Sequence, residues 1–415
     1  MKKNFSARVR PGILYATIAF LCTSLIFFSC KKTTQNTVGL APTADAGISF
    51  SAATLTYNYT NLFNGGDGAY HSYRIPSLIR TTKGTMLAIC EGRKNSSADY
   101  GDIDVVCRRL LSGASSWETT QRIVAGGTAG DTDTWGNPTL VVNQVDGKIW
   151  LFMSWNDRNH SQGGAGGLSP INAWGQRRVY ACYSTATQDG SAWSAPVDMT
   201  ATLLPSNYAW DGMGPGIGIQ KTQTPNINRM IIPAIGRNIY SDDNGVTWNY
   251  SLLPGGGSNS EATIAELKNG TLMRNDRPTN SYYRKVSSGQ IGNWTQAFTD
   301  DTSLPDPRCE ASIFRYNMPA PNRIFFLNSN SQTQRRVPYI RITYDEGGTW
   351  PIGRSIPQNG TGILGGYTSL SKTPDLMTGA LIEYNQNNTA GNLSIQYHKF
   401  NLSWILNGAT EPTGY

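Results

Sequence analysis

A chain of 415 residues with 44 glycines, 11 tryptophans, 20 tyrosines and only 15% charged side chains is too aromatic for disorder and too rich in glycine for a helical bundle. The mix suits many short strands joined by tight turns, in one large all-β domain. Four units of the formal charge of +7 come from Lys2, Lys3, Arg8 and Arg10, and no basic run of the kind that binds nucleic acid occurs in the body of the chain.

Taken in chain order, the first segment reads as an export signal. A basic start precedes an uncharged, mostly apolar stretch from Pro11 to Ser29, and Ile26-Phe27-Phe28-Ser29-Cys30 resembles a bacterial lipoprotein cleavage site, although Phe28 and Ser29 replace the usual small pair. The expectation is a lipoprotein-type signal at residues 1–30, a lipid on Cys30 and a flexible tether over residues 31–50. A single domain then fills residues 51–415. The protein would be exported and held to a membrane by its lipid, facing the periplasm or the cell surface; an uncleaved anchor helix is the alternative. Cys90, Cys107, Cys182 and Cys309 remain, with no Cys-x-x-Cys pair to suggest zinc. Cys90 and Cys107 belong to strands expected side by side, which leaves a disulfide and buried free thiols both open.

From residue 65 onward one unit recurs: strand, glycine turn, strand, loop, strand, and a turn ending in Trp. The hairpin turns are Thr82-Lys83-Gly84-Thr85, Val145-Asp146-Gly147-Lys148 and Lys268-Asn269-Gly270-Thr271. A second signature closes the third strand, in Ser241-Asp242-Asp243-Asn244-Gly245-Val246-Thr247-Trp248 and Thr343-Tyr344-Asp345-Glu346-Gly347-Gly348-Thr349-Trp350, with degenerate forms ending at Trp117, Trp193 and Trp294. Here the Asp caps turn amides, the Gly takes a positive φ and the Trp packs between sheets, so these boxes are structural. First strands start near Arg74, Asn137, Gly214, Glu261, Glu310 and Tyr367. Six such units predict a six-bladed β-propeller of four-stranded antiparallel blades. The sixth lacks a box, and Ala53–Tyr59 is expected to supply its fourth strand.

In a propeller the starts of the first strands and the loops between second and third strands meet at one mouth. That rule gathers Arg74, Arg93, Asp99, Glu261, Arg277, Arg336, Tyr367 and Glu383. Arginines crowded beside a channel repel one another unless acids or an anionic ligand compensate them.

Tyr73-Arg74-Ile75-Pro76 together with the repeated Asp boxes resembles the exo-α-sialidases, or neuraminidases, of bacterial and animal type, over roughly residues 65–400. The resemblance implies hydrolysis of terminal sialic acids from glycoproteins, glycolipids or oligosaccharides, with no cofactor required, by a monomer. It implies that Arg74, Arg277 and Arg336 surround the sugar carboxylate and that Glu383 orients Arg74. Tyr367 would be the nucleophile, Glu261 its base and Asp99 the acid/base on the leaving oxygen, with Arg93 and Asn137 touching other substituents. Desolvation or a bound sugar is expected to raise the Asp99 pKa. Asp102, Asp104 and Glu266 are the weaker candidates for the acidic roles. Asp131 and Asp133 offer calcium little support, and His71, His160 and His398 are too scattered for a Ser-His-Asp hydrolase or a metal site. Alternatives on the same scaffold are a trans-sialidase, an anhydro-forming sialidase and a non-catalytic glycan-binding propeller.

Overall fold

The computed structural model describes residues 54–124, 132–257, 260–318, 321–357, 366–385 and 392–413. The expected export segment, Cys30, the tether and Asp131 lie outside the described residues. Within them the fold is all-β, with two one-turn helices at Thr200–Leu203 and Leu402–Leu406.

The recurring unit is an antiparallel meander. Tyr283–Gly289 stands between Leu272–Asp276 and Thr299–Pro305, and Ala262–Glu266 flanks the set, giving a four-stranded sheet in chain order. Ser312–Asn317, Arg323–Ser329, Pro338–Thr343 and Ile352–Ser355 repeat that order, as do Ile219–Gln220, Met230–Ala234, Arg237–Ser241 and Asn249–Leu252. A nine-stranded sheet holds two further meanders, Ser72–Arg80 to Gln121–Val124 and Thr134–Val142 to Val197–Asp198, joined by one parallel bridge between Ile103 and Thr134. Its ninth strand, Gly216–Ile217, pairs in parallel with Thr134–Val142 and leads into the next meander. The last sheet comprises Thr368–Lys372, Thr378–Asn385, Leu393–Phe400 and, from the other end of the chain, Tyr57–Phe63. That closing strand sits a few residues later than Ala53–Tyr59, because Leu62 and Phe63 carry the apolar bulk that the seam buries.

The two full Asp boxes form one structure twice. Asp243 accepts from the Thr247 N–H at 2.9 Å, the Thr247 hydroxyl at 2.6 Å and the Ser241 hydroxyl at 2.8 Å, while Ser241 accepts from the Gly245 N–H at 2.9 Å. Asp345, Thr349, Thr343 and Gly347 reproduce these bonds at 2.7–2.9 Å. Gly245 and Gly347 stand at φ 85° and 90°, where a Cβ is disfavoured. Trp248 then packs against Phe152 and Trp150 of the preceding sheet.

Among the described residues, apolar clusters are each shared by two successive meanders, and one of them joins the sheet of Thr368–Lys372 to the first meander through Leu381, Ile395, Leu78 and Ala88. Hydroxyls on the first strands tie neighbouring units together: Ser369 accepts from the Leu78 N–H, Thr263 from the Ile313 N–H, and Ser312 and Thr368 share a bond at 2.9 Å. Cys90 faces Val106 and Cys107 faces Ile89, so the two thiols point to opposite faces and both are free and buried.

Candidate active site

The site begins with a backbone device. In Ser72–Arg80 the register slips between Arg74 and Ser77, so Ile75 and Pro76 bulge out of the ladder. Ile75 has φ 58°, an unfavourable value for a β-branched residue. Its N–H leaves the ladder and donates to Glu383 Oε1 at 2.8 Å, and Pro76 has no N–H to satisfy. The same slip recurs between Gly136 and Thr139, where Asn137 at φ 53° precedes Pro138 and donates its N–H to Glu91 Oε1 at 2.9 Å. In each case a buried carboxylate of the adjoining unit accepts the bond that the bulge frees.

Glu383 is fully buried and acts as the hub. It accepts from Arg74 Nε and Nη2, both at 3.2 Å, and from the N–H groups of Ile75 and Tyr367. Arg74 therefore presents a fixed guanidinium plane, with its Cζ 4.9 Å from the centre of the Tyr367 ring. Arg74 Nη1 reaches Asp99 at 2.9 Å, and Arg93 Nη1 reaches the same oxygen at 2.7 Å. Arg93 is itself clamped by Glu91 at 2.6 and 2.9 Å.

Tyr367 is 5% exposed and donates its hydroxyl proton to Glu261 Oε1. Arg277 Nη1 bridges the pair, at 2.9 Å from the phenol oxygen and 2.7 Å from Glu261 Oε2. Burial foremost, and then the Glu261 carboxylate, push the Tyr367 phenol well above its ordinary range, against the pull of Arg277 and Arg74. The resting phenol is thus protonated, with its proton already directed at Glu261. Glu266 lies elsewhere, receiving the N–H groups of Thr222 and Gln223 and an ion pair from Lys221.

Two expectations need correction. The guanidinium over the Tyr367 ring, 5.6 Å from its centre, belongs to Arg335 and not to Arg336. Arg335 packs along Gly366, where a Cβ would meet its own Cβ at 2.8 Å, and its charge acts on Tyr367, Arg277 and Arg74. Arg336 donates its backbone N–H to Gln334, and its Nε is buried with no hydrogen-bond partner among the described residues. Strand alternation starts only at Pro338, after Val337 at φ 51°, so it does not fix which of the two arginines turns inward. The second correction concerns Asp99. Desolvation in the mouth does push its pKa up, but solvent still reaches 75% of the side chain. The Arg93 and Arg74 guanidinium groups outweigh that push and hold the carboxyl below the usual range.

Two residues at the site have no counterpart among the expected ones. Glu91 holds both Arg93 and the Asn137 bulge; its signal was the two-residue spacing from Arg93, which puts both on one face of a strand. Arg177, at the start of a third strand, donates to Asn137 Oδ1 at 2.7 Å, and burial lowers its guanidinium to about 10 against Glu91 and Asp211. Beside Glu261 and Arg277 opens a pocket of about 330 Å³ whose wall includes Asn137, Trp210, Ile235 and Arg308. Among the described residues no set of three or more His, Cys, Asp or Glu side chains gathers to hold a metal.

The arrangement is one buried phenol–carboxylate pair, a detached carboxylate, and guanidinium groups facing one space. The BNR repeat-like domain model matches residues 84–358. An exo-alpha-sialidase of Aspergillus fumigatus is 41% identical over 363 residues, covering 82% of this chain and 86% of that protein. Among solved structures, a Hadza microbial sialidase superposes with a TM-score of 0.70 at 22% identity, over 84% of this chain and 69% of that one. A leech intramolecular trans-sialidase in complex with 2,7-anhydro-Neu5Ac also gives 0.70, at 17% identity, over 85% and 71%. At these identities the structural likeness is one of fold. Fold and site together define an all-β glycoside hydrolase of the sialidase class. Within that class the chain belongs to the exo-α-sialidase family.

Proposed function

We propose that the protein is a retaining exo-α-sialidase that removes terminal sialic acids from glycoconjugates through a covalent tyrosyl intermediate. The observation that carries this reading is the Tyr367–Glu261 hydrogen bond bridged by Arg277. Apolar clusters between successive meanders support a six-bladed propeller around the site.

In this reading Arg74, Arg277 and Arg335 bind the sugar carboxylate, each offering planar paired donors that stay charged. That carboxylate sits on the anomeric carbon, so an anionic nucleophile would meet it head-on. A phenol that is neutral at rest and loses its proton only as it attacks avoids the repulsion. As Tyr367 Oη bonds to the anomeric carbon, its proton passes to Glu261. The glycosidic bond breaks, and Asp99 gives its proton to the departing oxygen. Water, losing a proton to Asp99, then cleaves the tyrosyl bond; Glu261 returns its proton to the phenol, and the sugar leaves with retained configuration.

Hydrolysis of 4-methylumbelliferyl sialic acid by the purified protein tests the activity, and a 2,3-difluorinated sialic acid, losing its C2 fluorine as fluoride, should leave a 3-fluorosialyl group on Tyr367. Tyr367→Phe is expected to lose turnover by at least roughly a thousandfold while keeping its fold. Normal turnover in Tyr367→Phe would overturn the tyrosyl mechanism, and NMR of the product distinguishes free sialic acid from an anhydro or transferred one.

A further inference from the structure

Asp99 differs from the other groups of the site in its support. Glu383, Glu261 and Tyr367 project from or adjoin paired strands, whereas Asp99 lies in the connection between Met86–Arg93 and Ile103–Leu110. The connection is fastened on both sides. The Ser97 carbonyl accepts from Arg93 Nη1 at 2.5 Å, and the Gly101 carbonyl accepts from the Thr134 hydroxyl at 2.7 Å. Between these fastenings Tyr100 is half-buried, and its ring rests on the backbone of Gly166 in the next unit.

Gly166 belongs to the turn Gln162–Gly167, whose sequence is Gln-Gly-Gly-Ala-Gly-Gly. A Cβ on Gly166 would fall 2.5 Å from the Tyr100 hydroxyl oxygen, and Gly166 also stands at φ 69°. The turn is firm at its base. The Ser169 N–H donates to Asn159 at 2.9 Å, the Ile171 N–H to Ser161 at 3.0 Å, and the Ser161 hydroxyl to Ala165 at 2.8 Å. Its first residue, Gln162, lines the pocket beside Glu261 and Arg277. A side-chain-free backbone surface thus meets an aromatic ring next to a carboxylate that no strand holds.

We propose that Tyr100 is a positioning residue for Asp99, and that the glycine-rich turn is the abutment against which its ring fixes the Asp99 carboxyl over the leaving oxygen. The proposal rests on the reading of Asp99 as the acid. Its chemical signature is leaving-group dependence. An alkyl oxygen, such as a galactose hydroxyl, leaves only if protonated as the bond breaks, whereas an acidic aryl oxygen departs without help. Displacing the acid therefore harms alkyl sialosides and spares aryl ones, and a merely structural role harms both alike.

The test compares kcat/KM for sialyllactose and 4-methylumbelliferyl sialic acid, a parameter that reports bond cleavage and not the later release of the sugar from Tyr367. Tyr100→Ala and, from the opposite side of the contact, Gly166→Ala should each lower kcat/KM for sialyllactose by about 10- to 100-fold and for the aryl substrate by less than about threefold. Tyr100→Phe, which keeps the ring, should restore both. Melting curves verify that each variant is folded. Equal losses on both substrates, or wild-type values on both, overturn the proposal. Asp99→Ala separates it from its premise: a split of roughly 10²–10⁴ between the substrates is expected. No split in Asp99→Ala would overturn the acid assignment itself, whereas a split there with none in Tyr100→Ala would overturn only the abutment.

Discussion

Arginine is used in two ways in this molecule, and the contrast locates the chemistry. Behind the mouth, Arg237, Arg274 and Arg284 are completely buried. Arg237 grips Asp211 at 2.6 and 2.8 Å and donates to the carbonyls of Leu203 and Ile235. Arg274 grips Asp276 at 2.8 and 3.1 Å and donates to Arg237, Asn238 and Ala234. Arg284 joins Asp306, Asn275 and Cys309. These guanidinium groups end on protein partners, as burial of a charge requires. At the mouth, Arg277 and Arg335 keep part of their surface in solvent, and Arg74 and Arg335 lean on the Tyr367 ring. One set fastens the fold together; the other holds positive charge beside Tyr367, where the proposed reaction needs a grip on an anionic sugar.

The largest effect should come from breaking the first set. Arg274→Met leaves Asp276 buried without its main partner, which costs about 3–5 kcal/mol and lowers the melting temperature by roughly 10 °C. Differential scanning calorimetry checks this, and an unchanged midpoint would mean that the buried network is not what fastens these sheets. For the second set the expectation inverts. Arg335→Ala should reduce kcat/KM on sialosides by roughly 10²–10³-fold, equivalent to about 2–4 kcal/mol of transition-state binding, with the melting temperature nearly unchanged. Arg336→Ala should change kcat/KM by less than about threefold. A reversed result for the neighbours would return the carboxylate contact to Arg336 and break the contrast at that position.

The Arg335–Arg336 pair also marks where sequence reasoning stops. Asp boxes and glycine hairpins are local structures whose bonds close within a few residues, so they were legible, and with them the all-β fold of repeated meanders. Arg74, Tyr367 and Glu383 lie in or beside strands of the recurring unit, and the resemblance carried by Tyr73-Arg74-Ile75-Pro76 and the Asp boxes marked them. Arg335 sits in a loop, where direction depends on contact with Gly366 from another unit, and no period reaches it. Arg177 was passed over for a related reason: its importance lies in a bond to Asn137, forty residues away, across strands. The low Asp99 pKa depends on two guanidinium groups converging from different positions, and charge in a cleft cannot be read without the cleft.

Asp99 gives the smallest but most specific prediction, because it links the two conditions of the site. Without a sugar, Arg93 and Arg74 hold its carboxyl below the usual range, which works against the proton that the proposed acid must carry. In the proposed complex a bound sialic acid would bring a carboxylate to Arg74 and cover the exposed face of Asp99. The first change weakens the pull that lowered the pKa and the second desolvates the charge, so both raise it. At pH near 5, binding should therefore take up a fraction of one proton. Calorimetry of an unsaturated sialic acid inhibitor in two buffers of different ionisation enthalpy measures that fraction, and Asp99→Asn should abolish it. The same shift predicts that kcat, which reports the complex, levels off at a higher pH than kcat/KM, which reports the free enzyme and should keep rising as pH falls. Coincident profiles with no proton uptake would mean that the sugar leaves the charge on Asp99 untouched, and that its proton arrives by another route.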